Sequence, residues 1–169
     1  MVVVFKLLAV LIIVYIIVSL FGYFIHKILH KKWTGPLYRS HDVHHNTLYP
    51  ISDFESEKYR DAGKDDSFWP FAVASIPLIL FPFILSFIGL ISWTMAIIII
   101  IEMLFIGWLN TYMHNVFHIK NHWLSRFFIT KYLYNKYKNL HYIHHKYQTI
   151  NYGIFAFHWD KLFKTFRGN

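Results

Sequence analysis

Two five-residue stretches, HDVHH at 41–45 and HYIHH at 141–145, each place three imidazoles within little more than one helical turn. Two wider pairs accompany them, HKILH at 26–30 and HNVFH at 114–118. Crowded imidazoles compete for protons and repel one another once charged, so this density needs a reason. A shared cation supplies one, because neutral imidazole is the commonest metal ligand and a dication between rings relieves their crowding. Spacing of i, i+4 puts both rings of HKILH, and both of HNVFH, on one helix face; i, i+3, i+4 spacing does the same for each triplet if it is helical. The candidate ligands are therefore His26, His30, His41, His44, His45, His114, His118, His141, His144 and His145. Ten nitrogens exceed the four donors of a structural zinc and the three of a catalytic one, so the pattern asks for two ions. Nitrogen donors suit iron, copper, zinc and nickel almost equally, which leaves the metal open at this level.

The elements that must position these clusters are apolar. Of 169 residues 56% are hydrophobic, and they are gathered in blocks. Residues 7–25 carry no charge, and a helix of that length, at about 1.5 Å per residue, crosses a hydrocarbon core of about 30 Å. A cleaved signal peptide is the weaker reading, since the run is long for an h-region and SLFGYF offers no small-x-small cleavage site. Residues 68–112 hold a single charge, Glu102, and are about twice as long as one crossing requires. They are expected to form a two-helix hairpin turning near Gly89 in SFIGLIS. The fold predicted is all-α: one integral-membrane domain over residues 1–169, with about three spans at 7–25, 69–88 and 91–112. The histidine-rich helical cap would comprise 26–67 and 113–169.

All Lys and Arg but Lys6 lie in those two cap regions, and one span followed by a two-span hairpin delivers both to the same side. The positive-inside rule makes that side cytoplasmic: the inner membrane in a bacterium, the endoplasmic reticulum in a eukaryote. The net charge of +8 is accounted for by this topology and by anionic headgroups, and no nucleic-acid motif accompanies it. The absence of cysteine excludes thiolate metal sites, iron–sulfur clusters and disulfides.

The segments YFIHKILHKKWTGPLYRSHDVHHNTLYP, HNVFH and HYIHHKYQTINYGIFAFHWDKLF, spread from about residue 23 to 166, resemble the fatty acid hydroxylase superfamily. These are integral-membrane, histidine-ligated di-iron enzymes that include lipid hydroxylases and sterol desaturases. The match lies in the order HxxxH, HxxHH, HxxHH, closed by an NYG and WD tail, here Asn151, Tyr152, Gly153, Trp159 and Asp160. The resemblance implies two non-haem irons, with zinc able to substitute, held by the ten histidines above, His114 through the intermediate pair. It further implies dioxygen as co-substrate and hydroxylation or desaturation of a fatty acyl chain, sphingolipid or sterol. Electrons must then come from outside, from a b-type cytochrome or a ferredoxin with its reductase, because the chain holds no GxGxxG fingerprint. Three spans are fewer than the four common in the family, and a homo-oligomer partner could supply the missing wall.

The remaining polar residues carry two readings each. His122 is i+4 from His118 and could join the ligand set; His158 could stand behind it as a hydrogen-bond partner. Asp42 and Asp160 could orient imidazoles, or be a solvated loop acid and a structural residue. Asn115 could bond a ligand or simply be hydrated, and Glu102 could line a substrate cavity or pack protonated. The charged stretch 53–66 reads as a hydrated loop. Two rival functions remain. A bis-histidine b-type haem cytochrome would leave most histidines idle. A non-enzymatic metal carrier would need ligands along the crossing path, where these spans have none.

Overall fold

A computed structural model describes residues 2–60 and 68–168; the end of the charged 53–66 stretch lies outside the described residues. Among the described residues the chain is helical, with no strand beyond one isolated bridge between Ser56 and Ile119. Helix α1 spans Val2–Leu29. A short turn at Lys32–Thr34 leads to α2, Pro36–Val43, which opens into a wider π turn over His44–Leu48. Helices α3, Phe68–Phe87, and α4, Trp93–Phe117, form the hairpin; α5, Lys131–Tyr147, and α6, His158–Leu162, complete the chain.

The hairpin turns where glycine permits it. Gly89 adopts φ 77°, a left-handed conformation that costs a side chain about 1 kcal/mol or more. It lets the Leu90 N–H reach back to the Leu85 carbonyl at 2.9 Å, closing α3. Ser92 then starts α4, its Oγ accepting from the Met95 N–H at 3.2 Å. In the same way Gly35, at φ 60°, precedes Pro36, whose missing N–H is harmless in the first turn of α2.

Helix α4 packs against both α1 and α3. The outward residues of this three-helix bundle are large and apolar, among them Phe5, Ile12, Ile84, Phe87, Ile101 and Phe105. A helix apolar on every side has no use for water. Val4–Leu29 and Trp93–Phe117 are each long and apolar enough to cross a membrane. The predicted second span, 69–88, meets α3, whose apolar stretch Phe71–Phe87 is shorter than those two. Helix α5 differs: it buries Tyr134, Leu140, His141, Ile143, His144 and His145 on one face and exposes the other. That face closes over the ends of α1 and α4, and all the histidines of the four clusters lie at this end of the bundle.

Candidate metal centre

Nine imidazoles gather into two groups. His26, His30, His41, His45 and His144 form one; His44, His118, His141 and His145 form the other; within each, one nitrogen per ring lies within 4.8 Å of all the rest. His114 adjoins the second group, its ring centroid 4.5 Å from His44 and 4.8 Å from His141. Each triplet is split. His41 and His45 serve the first group while His44, where the π turn begins, serves the second; His141 and His145 serve the second while His144 serves the first. The expectation of one shared face per triplet is corrected here. Rings three residues apart on a helix diverge enough to reach separate centres when two centres lie side by side.

Backbone carbonyls set the rings. His26 Nδ1 donates to the Tyr152 carbonyl at 2.6 Å, His118 to Phe54 at 2.9 Å, His144 to Ile150 at 2.7 Å and His145 to Tyr49 at 3.0 Å. With its proton on Nδ1, each ring aims a bare Nε2 lone pair into the group, the arrangement metal-ligating histidines use. Asp160, fully buried, stands behind His26. Its carboxylate accepts from the Tyr152 and Gly153 N–H groups, both at 2.8 Å, and from Thr165 Oγ1 at 2.8 Å, fixing the peptide that receives the His26 proton. Only glycine fits at 153, since a Cβ there would lie 2.9 Å from Asp160 Oδ2.

These nitrogens are arranged as a cation would require. Nε2 of His30 lies 3.1 Å from Nε2 of His144 and 3.0 Å from that of His41, which is 3.1 Å from that of His45. An imidazole nitrogen has a single in-plane position, holding either a proton or a lone pair, so such a chain is poorly served by hydrogen bonds. Two nitrogens bound at right angles to one ion at about 2.1 Å stand about 3.0 Å apart. Nε2 of His26, His114 and His145 is buried without a partner among the described residues, as are both nitrogens of His44; a bound cation would satisfy one nitrogen of each ring. Protonation is suppressed as ligation needs. Burial, then the neighbouring imidazoles, lowers His30 to about 2, and burial with His114 lowers His145 to about 3. His41, His44, His118, His141 and His144 are held well below the usual histidine range, first by burial. The donor set therefore fits two transition-metal ions.

A model of the fatty acid hydroxylase family matches residues 11–165. The chain belongs to the fatty acid hydroxylase family. No match was found among curated proteins or among solved structures. Membership makes the chain an oxidoreductase-type enzyme of a membrane-associated, iron-dependent family.

In this family member a cavity of about 530 Å³ runs from the histidines into the bundle, between α1, α3 and α4. His26, Asn115, Tyr152 and Gly153 line its histidine end and Leu78, Ile79 and Met103 its far end. The other residues singled out in the sequence fall in different places. Asn115 lines the cavity and brings Oδ1 to 3.4 Å from His114 Nδ1. Glu102 is not among the lining residues, although its neighbours Met103 and Leu104 are. Asp42 accepts from Tyr38 and Asn46, on the solvent side of α2, and has no hydrogen bond to an imidazole among the described residues. His122 lies outside both groups, its Nδ1 accepting from the Leu124 N–H. His158 is exposed, beside Trp159 and Tyr15.

Three contributors carried no signal in the sequence. The charged stretch beginning at Asp53 is no mere hydrated loop: Phe54 is buried against His118 and supplies its carbonyl. Arg60 reaches the Leu48 carbonyl, the Asp53 carboxylate and the Tyr49 hydroxyl. Tyr49 in turn stacks on His118 at 3.9 Å and holds His145.

Proposed function

We propose that this protein is a membrane-embedded di-iron oxidase that hydroxylates or desaturates a lipid. The observation that carries the reading is the convergence of ten imidazoles, nine of them buried, from four stretches on two adjacent groups, at the end of an apolar cavity. His26, His30, His41, His45 and His144 would hold one ion; His44, His118, His141 and His145, with His114, the other. Two irons held there supply dioxygen activation and the cleavage of an unactivated C–H bond, which no side chain achieves as acid, base or nucleophile. The chain's own residues position and exclude. Bulky apolar side chains keep water from the lipid in the cavity, and the Tyr152, Ile150, Phe54 and Tyr49 carbonyls keep four Nε2 lone pairs aimed inward. Burial keeps the rings neutral.

Helices α1, α3 and α4 are read as three spans of a single domain, with residues 26–67 and 113–169 as a cap on the cytoplasmic side, where the basic residues gather. An external donor, a b-type cytochrome or a ferredoxin, would dock on that basic face. A homo-oligomer partner would supply wall that a fourth span supplies elsewhere in the family. The haem reading has no slot to use: His45 and His145 stack at 4.0 Å and His26 stands 4.4 Å from His144, leaving no room for a macrocycle between imidazoles.

The test is expression in a host followed by lipid mass spectrometry. A gain of one oxygen indicates hydroxylation and a loss of two hydrogens desaturation, and His144→Ala should abolish either. Product undiminished in His144→Ala would refute the reading.

A further inference from the structure

The cavity is chemically graded along α4. Its far end, about 18 Å from Asn115 along that helix, is walled by Val18, Leu78, Ile79, Met103 and Leu104, all apolar. The two serines that line it are already engaged. Ser75 donates to the Phe71 carbonyl at 2.7 Å; Ser19 donates to Ile16 at 3.1 Å and accepts from Trp159 Nε1 at 3.0 Å. At the histidine end the situation reverses. Asn110, Thr111 and Asn115 all line the cavity, Thr111 and Asn115 one turn apart. Among the described residues Asn110 and Thr111 make no side-chain hydrogen bond, and Asn115 has only its long contact to His114. No Lys, Arg, Asp or Glu appears among the lining residues.

Those facts constrain what the cavity accepts and which way round. A hydrogen-bonding or charged group at the far end would be buried without a partner, costly away from water. A few unspent polar groups at one end of an apolar pocket fix a ligand's orientation. We infer that the cavity takes a lipid by a hydrogen-bonding end seated on Asn110, Thr111 and Asn115. Its tail runs away from the histidines toward Met103 and Leu78. Where oxidation falls rests on the function proposed above: the carbons presented to the centre are those next to the polar end, not the tail's middle or tip.

The orientation is testable without turnover. Purified protein in lipid nanodiscs is photolabelled with a saturated long-chain alcohol bearing a diazirine at its tail tip, and the insertion sites are mapped by peptide mass spectrometry. Insertion at 78–79 and 103–104 is expected; insertion at 110–115 or 152–156, or none within the cavity, overturns the inference. The pair Asn110→Leu with Thr111→Val should weaken labelling about tenfold, and unchanged labelling removes these residues from the account. Gly107 also lines the cavity, and a Cβ there would meet nothing within 4 Å. Gly107→Leu, which also favours the helix, should therefore shift preference to shorter alcohols; an unshifted preference contradicts a tail lying there. If labelling behaves as expected while no oxidised lipid ever forms, the orientation stands and the oxidase reading falls.

Discussion

The two histidine groups are assembled from the same kinds of parts to different degrees of closure. Each draws on one HxxxH helix pair, on the first and last histidines of one triplet, and on the fourth residue of the other triplet. In the first group all five nitrogens converge, from His26 and His30 on α1, His41 and His45 on α2 and its π turn, and His144 on α5. In the second, four converge, while His114 stays outside that set, its Nδ1 3.4 Å from Asn115 Oδ1. The exchange of His44 and His144 teaches more than the mismatch. Because each triplet supplies both groups, neither group can assemble until α2 and α5 have both docked on the bundle. The centre is one cooperative unit rather than two sites that happen to be neighbours.

The largest expected effect follows from that exchange. His44→Ala should lower occupancy of the second group and His144→Ala that of the first, and lipid oxidation should fall at least about 100-fold in either. Plasma mass spectrometry of the metal content, beside lipid analysis, checks this; a variant that loses one ion cleanly and still oxidises lipid breaks the comparison.

Acid should strike both groups alike. His30 of the first is lowered to about 2 and His145 of the second to about 3, so both are neutral in the folded chain, while an unfolded chain binds a proton on each below about 6.5. Protons therefore favour the unfolded state. Stability of metal-free protein should be flat above about pH 6.5 and fall below it, by about 1.4 kcal/mol per pH unit for each such histidine, until the folded-state values are reached. Thermal unfolding in detergent across this range measures it. Unchanged stability between pH 7 and 5 would mean that these rings are not buried as described.

A smaller effect should separate the groups. Asp160→Asn replaces the carboxylate that fixes the Tyr152 peptide, and through it His26, which belongs only to the first group. Chelator competition should show one ion held about tenfold more weakly and the other unchanged; equal weakening of both would make Asp160 a general structural residue. The smallest effect is His114→Ala, expected to weaken the second ion only a few-fold, less than His118→Ala does. His122→Phe and His158→Ala should leave metal content as it is. A His114 variant as severe as His118→Ala would show that the second group is closed like the first.

The donors were legible in the sequence because histidine identity and spacing are local properties: all ten candidate residues fall in or beside the two groups. The hairpin was legible too, since Gly89 between two apolar runs is a local turn signal. The sorting of donors between groups was not, because which way His44 points depends on the π turn and on where α5 docks, and both are tertiary. The acceptors behind the rings were hidden for a different reason. Every residue has a carbonyl, so nothing in the letters distinguishes Phe54 or Ile150 as a partner. Asp42 and Asp160 make the point in one pair: side-chain type and proximity to a motif were the same for both, yet only Asp160 is buried where it can act on a ligand.

The most direct measurement is the metal content of detergent-purified, monodisperse protein from cells supplied with iron. Two transition-metal ions per chain are expected, one of them lost when His44 or His144 is replaced. Fully helical, monodisperse protein that carries no such ion would contradict the account at its centre.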